Sequence, residues 1–225
     1  MPRETLTRPQ IVEAATGLLD RDGIEGLSMR KLGATLGSGA TSIYWHVSNR
    51  DDLIRLAADK VWAEIPLHDP AEKGWRQAAA EVADDTYRML AKHVWLIPAF
   101  SSHLLYGESL ARYEDHCYSV YEAAGFTGTD LDWAFNTVFT FVLGTALGDA
   151  AERSLRRTGA GEHGALADAK READELAQRY PRLRARLDAQ RDIDPRAAQF
   201  DSLDFGIATI LDGLEAHLAR SPERD

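Results

Sequence analysis

The segment from Thr129 to Arg157 constrains the fold more than any other. It contains no proline, and its first two-thirds carry Leu131, Trp133, Phe135, Val138, Phe139, Phe141, Val142, Leu143 and Leu147. These positions fall on nearly every side of an α-helix, so a helix here expects burial all round. Such a helix needs a shell of other helices, and the rest of the chain supplies the pattern for them. Apolar residues recur at 3–4 spacing throughout, whereas no alternating run bounded by hairpin turns occurs. The expected class is all-α.

Breakers divide the pattern into elements. A first helix is expected over Thr7–Asp22, with Ile11, Ala14, Ala15, Leu18 and Leu19 as its buried stripe and Gly23 as a left-handed cap. Ser28 caps a short helix reaching Leu36. Gly37-Ser38-Gly39 is too rich in glycine for a helix interior and reads as a tight turn. A second short helix follows over Ala40–His46. Ser48 or Asn49 then caps a longer one running to Glu64, with Asp51 and Asp52 at its positive end. Pro66 and Pro70 mark a boundary, giving an N-terminal unit of residues 1–65 and a second unit of residues 66–225. In the second unit helices are expected over Lys73–Lys92, Ile97–Leu104, Glu108–Ala124 (stopped by Gly125), Thr129–Arg157, Ala167–Arg179 and Asp201–Ala219. Thr158–Gly164 reads as a flexible loop, and the stretch through Pro181 and Pro195 as interrupted.

Charge is segregated along the chain. The net charge is −10, from 26 basic and 36 acidic residues. Residues 1–60 carry eight of each, so the whole excess lies beyond them. Between Ser28 and Arg50 there is no acid, against Arg30, Lys31 and Arg50. Phosphate attraction is local once salt screens it, so this one end can meet nucleic acid while the remainder does not. A non-specific architectural binder, which needs basic surface over a wide area, conflicts with the overall charge. No apolar run approaches the ~20 residues of a membrane span, the N-terminus lacks a signal-peptide core, and the single cysteine, Cys117, forms no internal disulfide. A cytoplasmic location is expected, with no membrane partner.

A supporting helix, a short helix, a glycine turn and a second short helix make a helix-turn-helix. Leu32, Leu36 and Ile43 form its small core, and Gly37 takes the positive φ of the turn. The run Ser28-Met29-Arg30-Lys31-Leu32-Gly33, then Leu36-Gly37, then Ser42-Ile43-Tyr44-Trp45-His46-Val47-Ser48-Asn49-Arg50 resembles the DNA-binding region of TetR-family repressors. Gly125-Phe126, Phe141-Val142-Leu143-Gly144 and Phe205-Gly206-Ile207 through Leu214-Glu215 are similar to landmarks of the tetracycline-repressor C-terminal domain. The resemblance implies that Ala40, Thr41, Ser42, Tyr44 and Trp45 face the major groove or its phosphate walls. It implies that Arg30 reaches a guanine edge or a phosphate, that Tyr44 and His46 bond phosphates, and that Arg50 binds phosphate. Ser38, Gly39, Ala40 and Thr41 depart from the family's usual residues, which leaves the operator sequence open. A competing reading makes Tyr44 and Trp45 core aromatics, although neighbours ~100° apart do not face one core.

Operators are read by two-fold dimers with recognition helices about 34–36 Å apart. The helices of residues 129–157 and 201–219 are the candidate dimer elements; the competing reading is that both are core helices of one chain. In the resembled family the corresponding helices form an intersubunit four-helix bundle. The middle helices then enclose a pocket for a small effector, aromatic or amphipathic. Its candidate residues are the polar and aromatic groups set in apolar stretches: His93, Trp95, Phe100, His103, Tyr113 and His116. Further along the chain they are Tyr121, Trp133, Asn136, Thr137 and Phe141. Phe100 falls where tetracycline repressors place a metal-binding histidine, and Gly148 where they place an acid, so no metal and no cofactor is expected.

Asp84-Asp85 with His93 is the one enzyme-like constellation. Adjacent acids on a helix diverge by ~100°, and no phosphate loop, nucleophile elbow or zinc-protease motif accompanies them. The expected function is a ligand-responsive, DNA-binding transcriptional repressor. It would bind a palindromic double-stranded operator as a homodimer, be released by a small-molecule effector, and have no catalytic residues.

Overall fold

The computed structural model describes residues 6–157, 165–190 and 195–220; the expected loop Thr158–Gly164 lies outside them. No strand occurs among the described residues. Helix α1 (Arg8–Gly26) opens with a capping box, in which the Thr7 hydroxyl accepts from the Gln10 amide while the Gln10 side chain accepts from the Thr7 amide. Gly23, at φ 69°, breaks its helical path, and one further turn leads to Leu27. Ser28 caps α2 (Met29–Thr35) by accepting from the Lys31 amide. Gly37 (φ 59°) turns the chain into α3 (Ala40–Tyr44). Asn49 caps α4 (Arg50–Trp62).

α1 and α4 pack together through Ile11, Ala15, Leu18 and Leu19 against Leu53, Ile54, Ala57 and Val61, all fully buried. Leu32 and Ile43 seat the two short helices on that base. Two helices this short have no stability alone, so the base carries them.

Beyond α4 come α5 (Pro70–Lys73), α6 (Trp75–Lys92), α7 (Leu96–Ser102), α8 (Glu108–Ala124), α9 (Gly128–Arg157), α10 (Ala165–Ala177), α11 (Pro181–Gln190) and α12 (Pro195–Arg220). α6, α8 and α9 pack on one another, and α12 lies against α9 and α6. α8 ends at Gly125 in the left-handed region (φ 101°), where the Gly125 and Phe126 amides bond back to Glu122 and Tyr121. The stretch read as proline-interrupted is helical over Pro181–Gln190 and again from Pro195. Pro181 and Pro195 stand at first helical positions, where the missing N–H costs nothing. Gly74 (φ 80°) separates α5 from α6, so α6 starts two residues later than its apolar pattern suggests.

α9 is not buried on every side. Val138, Val142 and Ala146 face the core, but Trp133, Thr137, Thr140, Gly144 and Leu147 form one solvent-exposed stripe. Trp133 is 63% exposed, and Phe205 on α12 is 75% exposed. The single chain thus leaves part of this apolar helix uncovered.

Candidate DNA-reading head and effector cavity

The reading head presents an exposed face. Arg30, Thr41, Ser42, Tyr44 and Trp45 are all exposed, and His46 is half-buried. Trp45 is 85% exposed, which removes the reading of these two aromatics as core residues. Ala40 begins α3; its side chain lies outside those described. Arg50 is placed differently from the expectation that it binds phosphate. Its Nε donates to the Leu27 carbonyl at 3.0 Å and its Nη2 to the Ile24 carbonyl at 2.5 Å. These carbonyls lie at the C-terminal end of α1, where i+4 amide partners run out; the Leu27 amide also reaches the Ile24 carbonyl. Arg50 therefore staples the end of α1 to the start of α4.

A cavity of about 310 Å³ opens between α4, α7, α8 and α9. Five rings line it: Trp62, Phe100, Tyr113, Phe135 and Phe139. They form a continuous set, with Trp62 4.7 Å from Tyr113 and 6.3 Å from Phe100, and Phe135 5.8 Å from Phe139 between ring centres. Leu104, Leu105 and Leu110 complete the apolar wall, and His103, Glu114 and Asn136 supply polar groups. Tyr113 Oη lies 3.0 Å from Thr86 Oγ1, and burial pushes its phenol well above the ordinary range, so it stays neutral. Loss of solvation likewise raises the Glu114 carboxyl. Trp62 Nε1 is buried with no acceptor among the described residues, an omission that costs ~1–3 kcal/mol.

Of the residues expected in a pocket, the fold brings Phe100, His103, Tyr113 and Asn136 together there. The others lie elsewhere. Trp133 and Thr137 are on the exposed stripe of α9. Phe141 packs on Gly206, where a Cβ would meet its ring at 2.0 Å. Tyr121 is buried against Phe126. His116 is not among the lining residues; burial and the neighbouring His68 push its imidazole below the ordinary range. His93 and Trp95 are structural. The His93 ring, 1% exposed, bridges Asp20 of α1 at 2.6 Å and Glu64 beyond α4 at 3.2 Å, while Trp95 Nε1 donates to the same Asp20 oxygen at 2.8 Å.

The cavity also takes Trp62, Phe135, Phe139, Glu114 and the three leucines, which are not among the candidates the sequence marks. A helical wheel separates Phe135 and Phe139 from Trp133 and Thr137, so that signal was present for α9. No pattern in α4 or α8 marks Trp62 or Glu114.

The segment between α7 and α8 touches both the cavity and α4. The α8 N-terminus has no side-chain cap of its own. Asp59 of α4 supplies one: its Oδ1 accepts from the Ser109 amide at 2.8 Å and the Leu110 amide at 3.1 Å. A Cβ at position 107 would lie 2.2 Å from Asp59 Cγ, so any larger residue must displace the Asp59 side chain. Arg55 donates to the Tyr106 carbonyl and lies 4.6 Å over its ring, and His103 pairs with Asp51 at 3.5 Å. Three successive turns of α4 thus hold the segment that walls the cavity.

Among the described residues, no group of three or more His, Cys, Asp or Glu could hold a metal ion. Burial pushes the Cys117 thiol up to about 12, which makes it unreactive. No helix among the described residues is long and apolar enough to cross a membrane.

Residues 11–57 match the family described as bacterial regulatory proteins, tetR family, and residues 66–218 match the tetracyclin repressor-like C-terminal domain. An HTH-type transcriptional regulator from Saccharopolyspora erythraea is 38% identical over 79% of this chain and 73% of its own. The HTH-type transcriptional repressor DrrR1 of Streptomyces coeruleorubidus is 32% identical over 97% of this chain and 81% of its own. The crystal structure of ActR from Streptomyces coelicolor in complex with actinorhodin superposes with a TM-score of 0.75 at 26% identity, covering 96% of this chain and 98% of that one. The exposed helix-turn-helix, the all-helical scaffold and these matches make the chain a DNA-binding transcription regulator rather than an enzyme, and a member of the TetR family.

Proposed function

We propose that the protein is a ligand-gated transcriptional repressor. Residues 1–65 read a palindromic operator, and residues 66–225 bind a small effector and pair two chains. The observation that carries the gating is the shared wall: Trp62, the last residue of α4, lines the cavity, and the segment that closes it is bonded to α4 at Asp51, Arg55 and Asp59. A ligand that prefers one arrangement of this wall shifts α4, and α4 carries the reading head. ActR has been crystallised with actinorhodin and with (S)-DNPA, which supports a small-molecule site in this scaffold.

In this reading Arg30, Thr41, Ser42, Tyr44 and Trp45 contact DNA, with Ala40 at the start of the recognition helix and His46 at its end. The uncovered stripe of α9, with Trp133 and Leu147, and the α12 face with Phe205 pair two chains through the helices of residues 129–157 and 201–219. Gly144 on that stripe permits close helix approach.

Selection of bound sites from a random duplex pool, with the winners re-tested at two salt concentrations, tests the reading. A two-fold symmetric sequence whose affinity falls with salt is expected. Small amphipathic aromatics are then screened for release of the labelled operator, and Asn136→Trp, which crowds the cavity, should abolish release while sparing DNA binding. A pool that stays random, or release untouched by Asn136→Trp, contradicts the proposal.

A further inference from the structure

The cavity carries a charge signature that narrows its ligand. No Lys or Arg is among its lining residues. Of its titratable groups, His103 is paired with Asp51, and the Tyr113 hydroxyl is engaged by Thr86. Glu114 alone stands without a cationic or hydrogen-bonding partner among the described residues. It sits at the exposed mouth of the cavity, beside Tyr113 and Phe135. Its carboxyl is raised because apolar surroundings remove water and return no compensating charge.

Two features of this site favour the same ligand charge. Ring faces attract cations through their quadrupoles, and five rings wall this space. A carboxylate with no counter-charge beside it gains from a cation brought to it. An anionic ligand would meet repulsion from Glu114 and find no counter-charge on the wall. At about 310 Å³ the space is at the small end of the ~300–1,000 Å³ typical of small-molecule sites, and it suits two or three fused rings.

We infer that the effector is a flat aromatic cation, its rings held among Trp62, Phe100, Phe135 and Phe139 and its positive group paired with Glu114. The inference rests on the reading of this cavity as the effector site. Glu114 sets specificity for the charge of the ligand and is not needed for the fold, since it is exposed and bonded to nothing described.

The test uses three tricyclic probes of similar size on the full chain without DNA: proflavine (cation), acridone (neutral) and 9-anthracenecarboxylate (anion). Calorimetric or fluorescence titration should rank them proflavine, acridone, 9-anthracenecarboxylate, with proflavine about tenfold or more ahead of acridone. Glu114→Gln should erase that lead and leave acridone unchanged. Glu114→Lys should turn the preference toward 9-anthracenecarboxylate. Equal binding of the three probes, no proflavine binding, or a lead that survives Glu114→Gln overturns the inference. Asn136→Trp separates this failure from failure of the site itself. If it abolishes all binding but no charge preference existed, only the cation inference falls; if proflavine and acridone bind it unchanged, the cavity is not the site and the gating proposal falls as well.

Discussion

Replacing Asp59 by alanine removes one side chain from α4 and uncaps a helix on the far side of the cavity. Asp59 Oδ1 accepts from two amides at the start of α8, whose own cap position is Gly107 and has no side chain to offer. Loss of a side-chain cap costs ~1 kcal/mol. Loss of negative charge at a helix N-terminus adds ~0.3–1 kcal/mol. With two partly buried amides left unpaired, the total is ~2 kcal/mol, or ~4–8 °C in Tm for a chain of this size. Asp59→Asn keeps the acceptor oxygen and loses the charge, so it should cost about half as much. Scanning calorimetry measures the stability change, and amide hydrogen exchange locates it: Ser109 and Leu110 should lose protection selectively. Under the gating proposal, Asp59→Ala also weakens the response of operator affinity to any cavity ligand, because α4 is no longer tied to the cavity wall. A Tm change below about 1 °C, with protection at Ser109 and Leu110 intact, would refute the capping argument.

Five residues give contrasting expectations. Arg50→Ala should lower stability by ~2 kcal/mol through loss of two charged hydrogen bonds to carbonyls, seen in thermal melts of the free protein. Arg30→Ala should leave the melt unchanged but weaken operator binding and reduce its salt slope by about one unit. Gly17→Ala has open space at its Cβ within α1 and should stabilise by ~0.5–1 kcal/mol, whereas Gly107→Ala must displace Asp59 and should destabilise in the same unfolding assay. At Glu64, burial favours protonation, but the bonds to Lys92 and His93 outweigh it and hold the carboxyl below its ordinary value of 4.5. A carboxyl lowered by folding contributes stability above its unfolded value and loses it as pH falls through the lowered one. Melts recorded from pH 6 to pH 3, spanning the ordinary carboxylate range, should therefore fall less steeply for Glu64→Gln than for the parent. Equal slopes would show that this contact adds nothing.

The local parts of the fold could be read from the chain because their causes are local. The Ser28 cap, the positive φ at Gly37 and the Leu32–Ile43 core each depend on residues a few positions apart, and the structure places each as expected. The role of Arg50 could not be read this way. Its acceptors lie 23 and 26 residues upstream, at the end of α1 beyond the break at Gly23. Asp59 is similar, since nothing in α4 announces that an α-helix 50 residues later lacks a cap. His93 and Trp95 look like ligand contacts in sequence, as any polar aromatic in an apolar stretch does, until Asp20 and Glu64 are seen to satisfy them. In α9 the apolar run is not uniform. Its two aromatic faces do different things: Phe135 and Phe139 wall the cavity, while Trp133 and Leu147 are left for another surface.

Hydroxyl-radical footprinting of a selected operator, combined with the mass of the complex, tests the account most directly. The account predicts two chains per site and two symmetric protections about one helical turn apart, ~10–10.5 base pairs centre to centre or a multiple of it. One chain per site with a single protected patch, or protection spread evenly along the duplex, would contradict it.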